Sequence, residues 1–321
     1  MLPGWHQDPF PRLRDLDVYA DRTGTIPFFD GEPFVSFFRP PRFGKSVHLD
    51  MLDFYYNYAK RSMFAELFGD LEVCTASFAE RHPRSHQPSL RSSMVVLKIS
   101  MPLLLPVCDD ATAIINDFKA ALRAEVMTGV ERAVIEYNSN RTIDDPPLEL
   151  DLALLDKRDP VELLNDTVAS LGRELLVLID EFDRAMVAAY RLSETGTEDD
   201  RAVGETVYKG VGLVVSSLLH SVKATNARLV ITGIFPVPAK EWSVFNYATN
   251  ATHCKELAHT FGFSVKEVRE LMEAIDPKLS SEDLEAVMAT VQLHYNGYRF
   301  SNATYPVYNP QMVLNFRKEL V

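Results

Sequence analysis

Phe34-Val-Ser-Phe-Phe-Arg-Pro-Pro-Arg-Phe-Gly-Lys-Ser46, followed by Val-His-Leu-Asp-Met-Leu52, decides the reading of this chain. Phe34 to Phe38 is a short apolar run suited to a central strand. From Ser46, apolar side chains at Val47, Met51, Leu52, Phe54, Tyr55 and Tyr58 recur with a helical period. Strand, tight loop and helix in that order form a phosphate cradle, because the helix N-terminus turns free backbone N–H groups toward an anion. In the pattern G-x-x-x-x-G-K-[ST] the lysine reaches the β- and γ-phosphates and the hydroxyl binds Mg²⁺. Lys45 and Ser46 hold those positions here, while Arg39 replaces the first glycine. The expected nucleotide contacts are Arg42, Phe43, Gly44, Lys45, Ser46 and Val47. Two prolines remove N–H donors from the cradle. Arg39 and Arg42 either add charge beside the phosphates or form surface ion pairs. A bare G-K-S is also compatible with an exposed basic turn, so its surroundings must decide.

A second stretch supplies the acids. Glu174-Leu-Leu-Val-Leu-Ile-Asp180-Glu181-Phe-Asp183 is an aliphatic strand with charge at its carboxyl end. Next to the loop strand, such a strand would let Asp180 hold the water shell of Mg²⁺ and Glu181 polarise the attacking water. Successive strand side chains diverge, so adjacent carboxylates can serve two tasks. The plainer alternative is a strand ending in solvated acids. Asp183 is expected to cap a helix over residues 184–190. A third strand, Asn226 to Thr232, ends on the same edge of an open α/β sheet. Thr232 there either meets the γ-phosphate or attacking water, or is a strand-end turn residue.

Composition sets outer limits. The 321 residues are 46% hydrophobic and 24% charged, enough for one large domain with or without a smaller one. A net charge of −12 opposes a broad nucleic-acid surface. Cys74, Cys108 and Cys254 are far apart, which suggests buried thiols in a reducing compartment. The first residues lack a signal-peptide core, and no stretch reaches the ~18 apolar residues of a membrane span. A cytoplasmic or nuclear protein away from membranes is expected.

The remaining pattern divides into an N-terminal arm (1–33), a core with insertions (34–240) and a helical lid with a C-terminal element (241–321). Strand 94–100 and helices 63–68, 109–126, 161–171 and 208–223 belong to the core, with Gly172 ending the fourth segment. Residues 137–160 read as an inserted loop and 193–206 as an acidic, solvated one. His82 and His86 are better read as loop histidines than as a metal pair. In the lid, helices are expected over 251–260, 264–274 and 281–292, with Ser264 and Glu267 as a capping box. The adjacent pair His253-Cys254 suits packing rather than metal. Arg299 is either an arginine finger or part of a structural turn. The fold class expected is an α/β three-layer sandwich of the P-loop NTPase type with a mostly parallel sheet and a small helical lid.

Arg39-Pro-Pro-Arg-Phe-Gly-Lys-Ser, Leu176-Val-Leu-Ile-Asp-Glu-Phe-Asp and Ile231-Thr-Gly-Ile together resemble the AAA-ATPase-like family of bacterial and fungal proteins. Its loop is typically R-P-R-R-F-G-K-S, and Pro41 is the departure here. Asp21-Arg22-Thr23 is similar to the family's D-K-T. Phe261-Gly-Phe-Ser-Val-Lys-Glu-Val, His294-Tyr-Asn-Gly-Tyr-Arg-Phe and Val307-Tyr-Asn-Pro310 are similar to its later elements, so the likeness spans nearly the whole chain in order. It implies ATP and Mg²⁺ as ligands, with Lys45 and Ser46 on phosphate and metal. It makes Asp180 the second metal ligand, Glu181 the base and Thr232 a sensor. Many members continue into a nuclease-like domain. Here no D…E-x-K group is found near the end, and nuclease activity is not expected.

Three functions follow: Mg-dependent ATP hydrolysis, a nucleotide-gated switch with negligible turnover, or a phosphotransferase, for which no acceptor signature is found. Guanine specificity lacks an N-K-x-D element. A protein partner is not identified by the residues. An oligomer would allow a second copy to supply an arginine finger.

Overall fold

The computed structural model describes residues 8–15, 19–82, 90–104, 110–155, 157–194, 197–236, 248–275, 280–295, 297–301 and 305–320. His86, Cys108, Asn296 and the expected 240/241 boundary lie outside them. Five parallel strands form one sheet: β1 (Phe34–Phe38), β2 (Val95–Ser100), β3 (Leu175–Asp180), β4 (Arg228–Gly233) and β5 (Thr249–Asn250). Their spatial order is β2-β3-β4-β1-β5. The acid strand β3 therefore is not beside the loop strand β1, as the sequence suggested; β4 stands between them. Parallel neighbours are joined by crossovers, so chain order does not dictate sheet order. The register nevertheless brings the carboxyl ends together: Phe38 pairs with Gly233, Ile179 with Ile231, and Ser100 with Asp180.

Alternation along the strands sorts the core into two layers. Leu175, Val177 and Ile179 face one side, where α6 (Ala111–Asn140), α7 (Pro160–Ser170), α8 (Arg184–Glu194) and α9 (Glu198–Ala224) pack. Leu176 and Leu178 face the other, covered by α1 (Pro9–Arg14), α2 (Ile26–Gly31), α3 (Lys45–Tyr56), α4 (Phe64–Phe68) and α5 (Ala76–Arg81). This is the expected α/β three-layer fold. Helices α10 (Val265–Ile275), α11 (Ser281–Tyr295) and α12 (Pro310–Leu320) share a separate small core around Val268, Met288 and Val313.

Several boundaries differ from the sequence pattern. Helix α6 runs on to Asn140, through Gly129, where an added side chain would strike the Lys98 carbonyl and Leu97. The glycine that weakens the helical pattern is what lets α6 lie close on β2. Most of the acidic segment expected as a loop is the start of α9, capped by a Thr197–Asp200 capping box. Glu198, Asp199 and Asp200 suit a helix N-terminus, where the macrodipole favours negative charge. Helix α9 is long and apolar enough to cross a membrane by length and composition, contrary to expectation. Its buried stripe, including Val207, Val211, Val215 and Leu219, packs against the α6 to α8 layer. Cys74 is exposed and Cys254 half-buried, so the expected buried thiols are not seen among the described cysteines. Cys74 closes a short surface turn.

A buried charge network sits under α3. Asp50 accepts from the Phe10 N–H (2.9 Å) and Lys98 Nζ (2.7 Å). Asp53 accepts from Lys60 Nζ (2.7 Å) and Asn57 Nδ2 (2.9 Å). Asp53 and Lys60 side chains are both 2% exposed. Burial pushes Asp53 up, but Lys60 and Lys98 hold its carboxyl below the usual carboxylate range. The stabilisation is thus present above the unfolded carboxyl pKa of about 3.9 and is lost as pH falls through the folded value. Asp53→Asn removes the nearer of two carboxylates beside the buried Lys60, the other being Asp8 at 3.8 Å, and should destabilise the fold by about 3 kcal/mol in urea unfolding at neutral pH. The same titration below about pH 4 should show a smaller difference, because the unfolded wild type then takes up a proton that the folded carboxylate still refuses.

Candidate functional site

A cavity of about 870 Å³ opens at the carboxyl edge of the sheet, over the N-terminus of α3. Gly44 precedes that helix with φ 83°, a left-handed conformation that glycine adopts freely. Arg42 also has a positive φ, 66°. These two turns fold the loop back so that the N–H groups of Phe43, Gly44, Lys45, Ser46 and Val47 have no acceptor among the described residues. Unsatisfied N–H groups at a helix start are an anion site. The Ser46 hydroxyl is exposed and unpartnered among the described residues. Lys45 is buried, and its ammonium donates to the carbonyls of Arg39 (2.9 Å) and Pro40 (3.0 Å). Burial lowers its pKa, while Asp180, Asp183 and Glu181 pull it back up.

Phe43 reaches the loop by its backbone alone. Its ring is buried edge-on against Tyr298 (4.8 Å) and Phe300 (5.5 Å). Arg42 is exposed and unpaired among the described residues. Arg39 corrects both readings made for it. It is neither beside the phosphates nor in a surface ion pair, but fully buried. Its guanidinium donates to the carbonyls of Phe38 (2.9 Å), Thr252 (2.6 Å) and Leu257 (3.1 Å) and lies 4.2 Å from the Phe300 ring centroid. Burial lowers its pKa to about 10. These bonds explain why residues 251–260 are not a helix beyond a turn at Ala251–His253: Arg39 takes carbonyls that a helix would use internally.

The acids gather on the opposite wall. Asp180 Oδ1 accepts from the Glu181 N–H (2.8 Å) and the Thr232 hydroxyl (3.4 Å). Thr232 is fully buried, so it stands behind Asp180 rather than facing a phosphate. Glu181 has φ 52° and pairs with Arg184 Nη1 at 2.7 Å, both about half exposed. Asp183 is buried, and its carboxylate accepts from the N–H groups of Ile234 (3.0 Å) and Phe235 (2.8 Å). The helix-cap role expected of it is thus replaced by a brace across the ends of β3 and β4. Arg299 is exposed and does not line the cavity, and its neighbour Tyr298 bridges Val307. His253 meets the Phe300 carbonyl at 3.0 Å. Among the described residues no group of three His, Cys, Asp or Glu could hold a metal. Magnesium does not require one, since it keeps water and phosphate oxygens in its shell. The free Ser46 hydroxyl and the Asp180 carboxylate fit that ion.

One element of the cavity was missed as a site. Arg22 pairs with both oxygens of Glu267 and donates to the Gly262 carbonyl (2.8 Å), joining the chain before α2 to the start of α10 across 245 positions. Asp21 fixes this hook by accepting from the N–H groups of Thr23 (2.8 Å) and Glu72 (2.7 Å). The expected capping box is present: Glu267 accepts from the Ser264 N–H at 2.7 Å, and Ser264 Oγ accepts from the Glu267 N–H at 3.2 Å. Its second use, as an acceptor for Arg22, has no local signal.

A parallel sheet whose carboxyl edge carries an amide cradle, a lysine and paired acids defines an α/β nucleotide-binding protein of the ATPase kind. Residues 8–245 match the model of the AAA-ATPase-like family, described as predicted AAA-ATPases, and the chain belongs to that family. No curated protein and no solved structure matches it.

Proposed function

We propose that this protein binds ATP with Mg²⁺ in the cavity above α3 and hydrolyses it. The supporting observation is the meeting of five unengaged backbone N–H groups, Lys45 and Asp180 around one cavity, although Lys45 and Asp180 lie 135 positions apart. The amides of residues 43–47 and the Lys45 ammonium take the phosphates. Ser46 and Asp180 would hold the metal, which would neutralise phosphate charge. Thr232 orients Asp180. Glu181 takes the proton of a water whose oxygen bonds to the γ-phosphorus as the bond to the β-phosphate oxygen breaks, giving ADP and phosphate.

A switch with negligible turnover is favoured by one observation: Glu181 is held by Arg184 and must leave it to act as a base. Calorimetric titration with Mg-ATP and a phosphate-release assay test both readings. A single site with a dissociation constant in the range of about 1 μM–1 mM is expected, weakened by EDTA, with phosphate released. Binding without release selects the switch. Absence of binding ends the nucleotide reading.

A further inference from the structure

The assigned base, Glu181, sits on a turn whose backbone is fixed at three points. Its N–H donates to Asp180 Oδ1 (2.8 Å), its carbonyl accepts from the Arg184 N–H (2.9 Å), and the Phe182 N–H donates to the Thr232 carbonyl (2.9 Å). The buried Phe182 ring anchors the turn in the core. At φ 52° Glu181 holds a left-handed conformation that is costly for a residue with a side chain, and such strain gathers at functional sites. Only the side chain is left to move. Its partner is Arg184 Nη1 at 2.7 Å, from the first residue of α8. The macrodipole opposes a cation at a helix N-terminus, so an anion in front of it is what makes the place favourable. In the free protein that anion is Glu181. The Arg184 side chain is 43% exposed, and both residues line the cavity together with Lys45 and Asp180.

Three other arginines line the same cavity. Arg22 is taken by Glu267 and the Gly262 carbonyl, Arg191 lies about two turns farther along α8, and Arg42 stands on the cradle loop. Arg184 is the one that pairs with the base itself. We propose that Arg184 passes from Glu181 to the terminal phosphate of bound ATP, so that one side-chain movement frees the base and sets a cation against the phosphoryl group being transferred. The exchange runs in the favourable direction. A half-exposed ion pair is weak, and a phosphate offers the guanidinium fork more charge and two oxygens at once. ADP lacks that phosphate and leaves the pair closed. This rests on the ATP reading above and adds to it a further catalytic residue, supplied by the same chain, and the order in which it acts.

Arg184→Gln removes the charge, and Arg184→Lys keeps the charge without the fork. Because the pair is half exposed, both variants should keep the thermal midpoint of the wild type. Each is titrated with Mg-ATP and with Mg-ADP, and single-turnover phosphate release is measured at saturating Mg-ATP. In Arg184→Gln, ATP affinity should fall about tenfold with ADP affinity unchanged, and release should slow by about 10³. Arg184→Lys should recover part of both. If Arg184 only restrains Glu181, Arg184→Gln releases phosphate at least as fast as the wild type with unchanged ATP affinity, and the proposal is overturned. An equal loss of affinity for ATP and ADP overturns it too. If the wild type binds ATP without releasing phosphate, the comparison of ATP with ADP decides alone. If the wild type binds neither nucleotide, the nucleotide reading itself fails, and this inference with it.

Discussion

Lys45→Ala is expected to lower Mg-ATP affinity by about 10- to 150-fold. That is the factor for losing one hydrogen bond to a charged group, roughly 1.5–3 kcal/mol. The ammonium is held where it is needed, at the base of the cradle, by the carbonyls of Arg39 and Pro40. On the proposed reading, binding would exchange those carbonyls for phosphate oxygens, which carry more charge and bind an ammonium more strongly. Burial already disfavours its charge, and the nearby Asp180, Asp183 and Glu181 offset this. Lys45→Met is the matched control, because it keeps the apolar stem and removes only the charge. Circular dichroism should show both variants folded. Affinity retained within threefold in both would mean that the cavity does not receive phosphate.

Glu181→Gln should leave binding intact and slow turnover by about 10²–10⁴, the usual range for removing a general base. Glutamine preserves the shape of the side chain and the 2.8 Å bond from its N–H to Asp180. It cannot take a proton from water. The change also dissolves the ion pair with Arg184, but that pair is about half exposed and contributes at most about 1 kcal/mol. Single-turnover phosphate release at saturating Mg-ATP measures the effect. An undiminished rate would assign the base elsewhere.

The cradle was legible because its signal is local: an apolar run, a glycine before a lysine and serine, then a helical period. The β3 run and the Ser264–Glu267 box were legible for the same reason. What escaped depends on long-range partners. Arg39 looks like a solvent-facing loop residue until the carbonyls of Thr252 and Leu257, more than 200 positions away, meet it. Asp183 sits where a helix cap would, yet the chain leaving β4 offers it two N–H groups. Thr232 was placed on the right edge, but its burial behind Asp180 follows from the order of strands, which periodicity does not reveal. The start of α9 was misread because a cluster of acids looks like a solvated loop and equally suits a capped helix N-terminus.

Arg39 also bears on how much of the chain can stand alone. A shortened protein stopping at residue 245, where the family match ends, would keep β1 to β4, the cradle and the acids. It would lose β5, the carbonyls of Thr252 and Leu257, and the aromatic rings beside the guanidinium. The same cut would uncover the guanidinium and strip Leu257, Phe261 and Phe300 from the core they share with Phe37 and Phe43, a loss of apolar burial worth several kcal/mol at about 1.5–3 kcal/mol per large side chain. The smallest autonomous folding unit therefore reaches at least to Phe300, well past the segment by which its kinship is recognised.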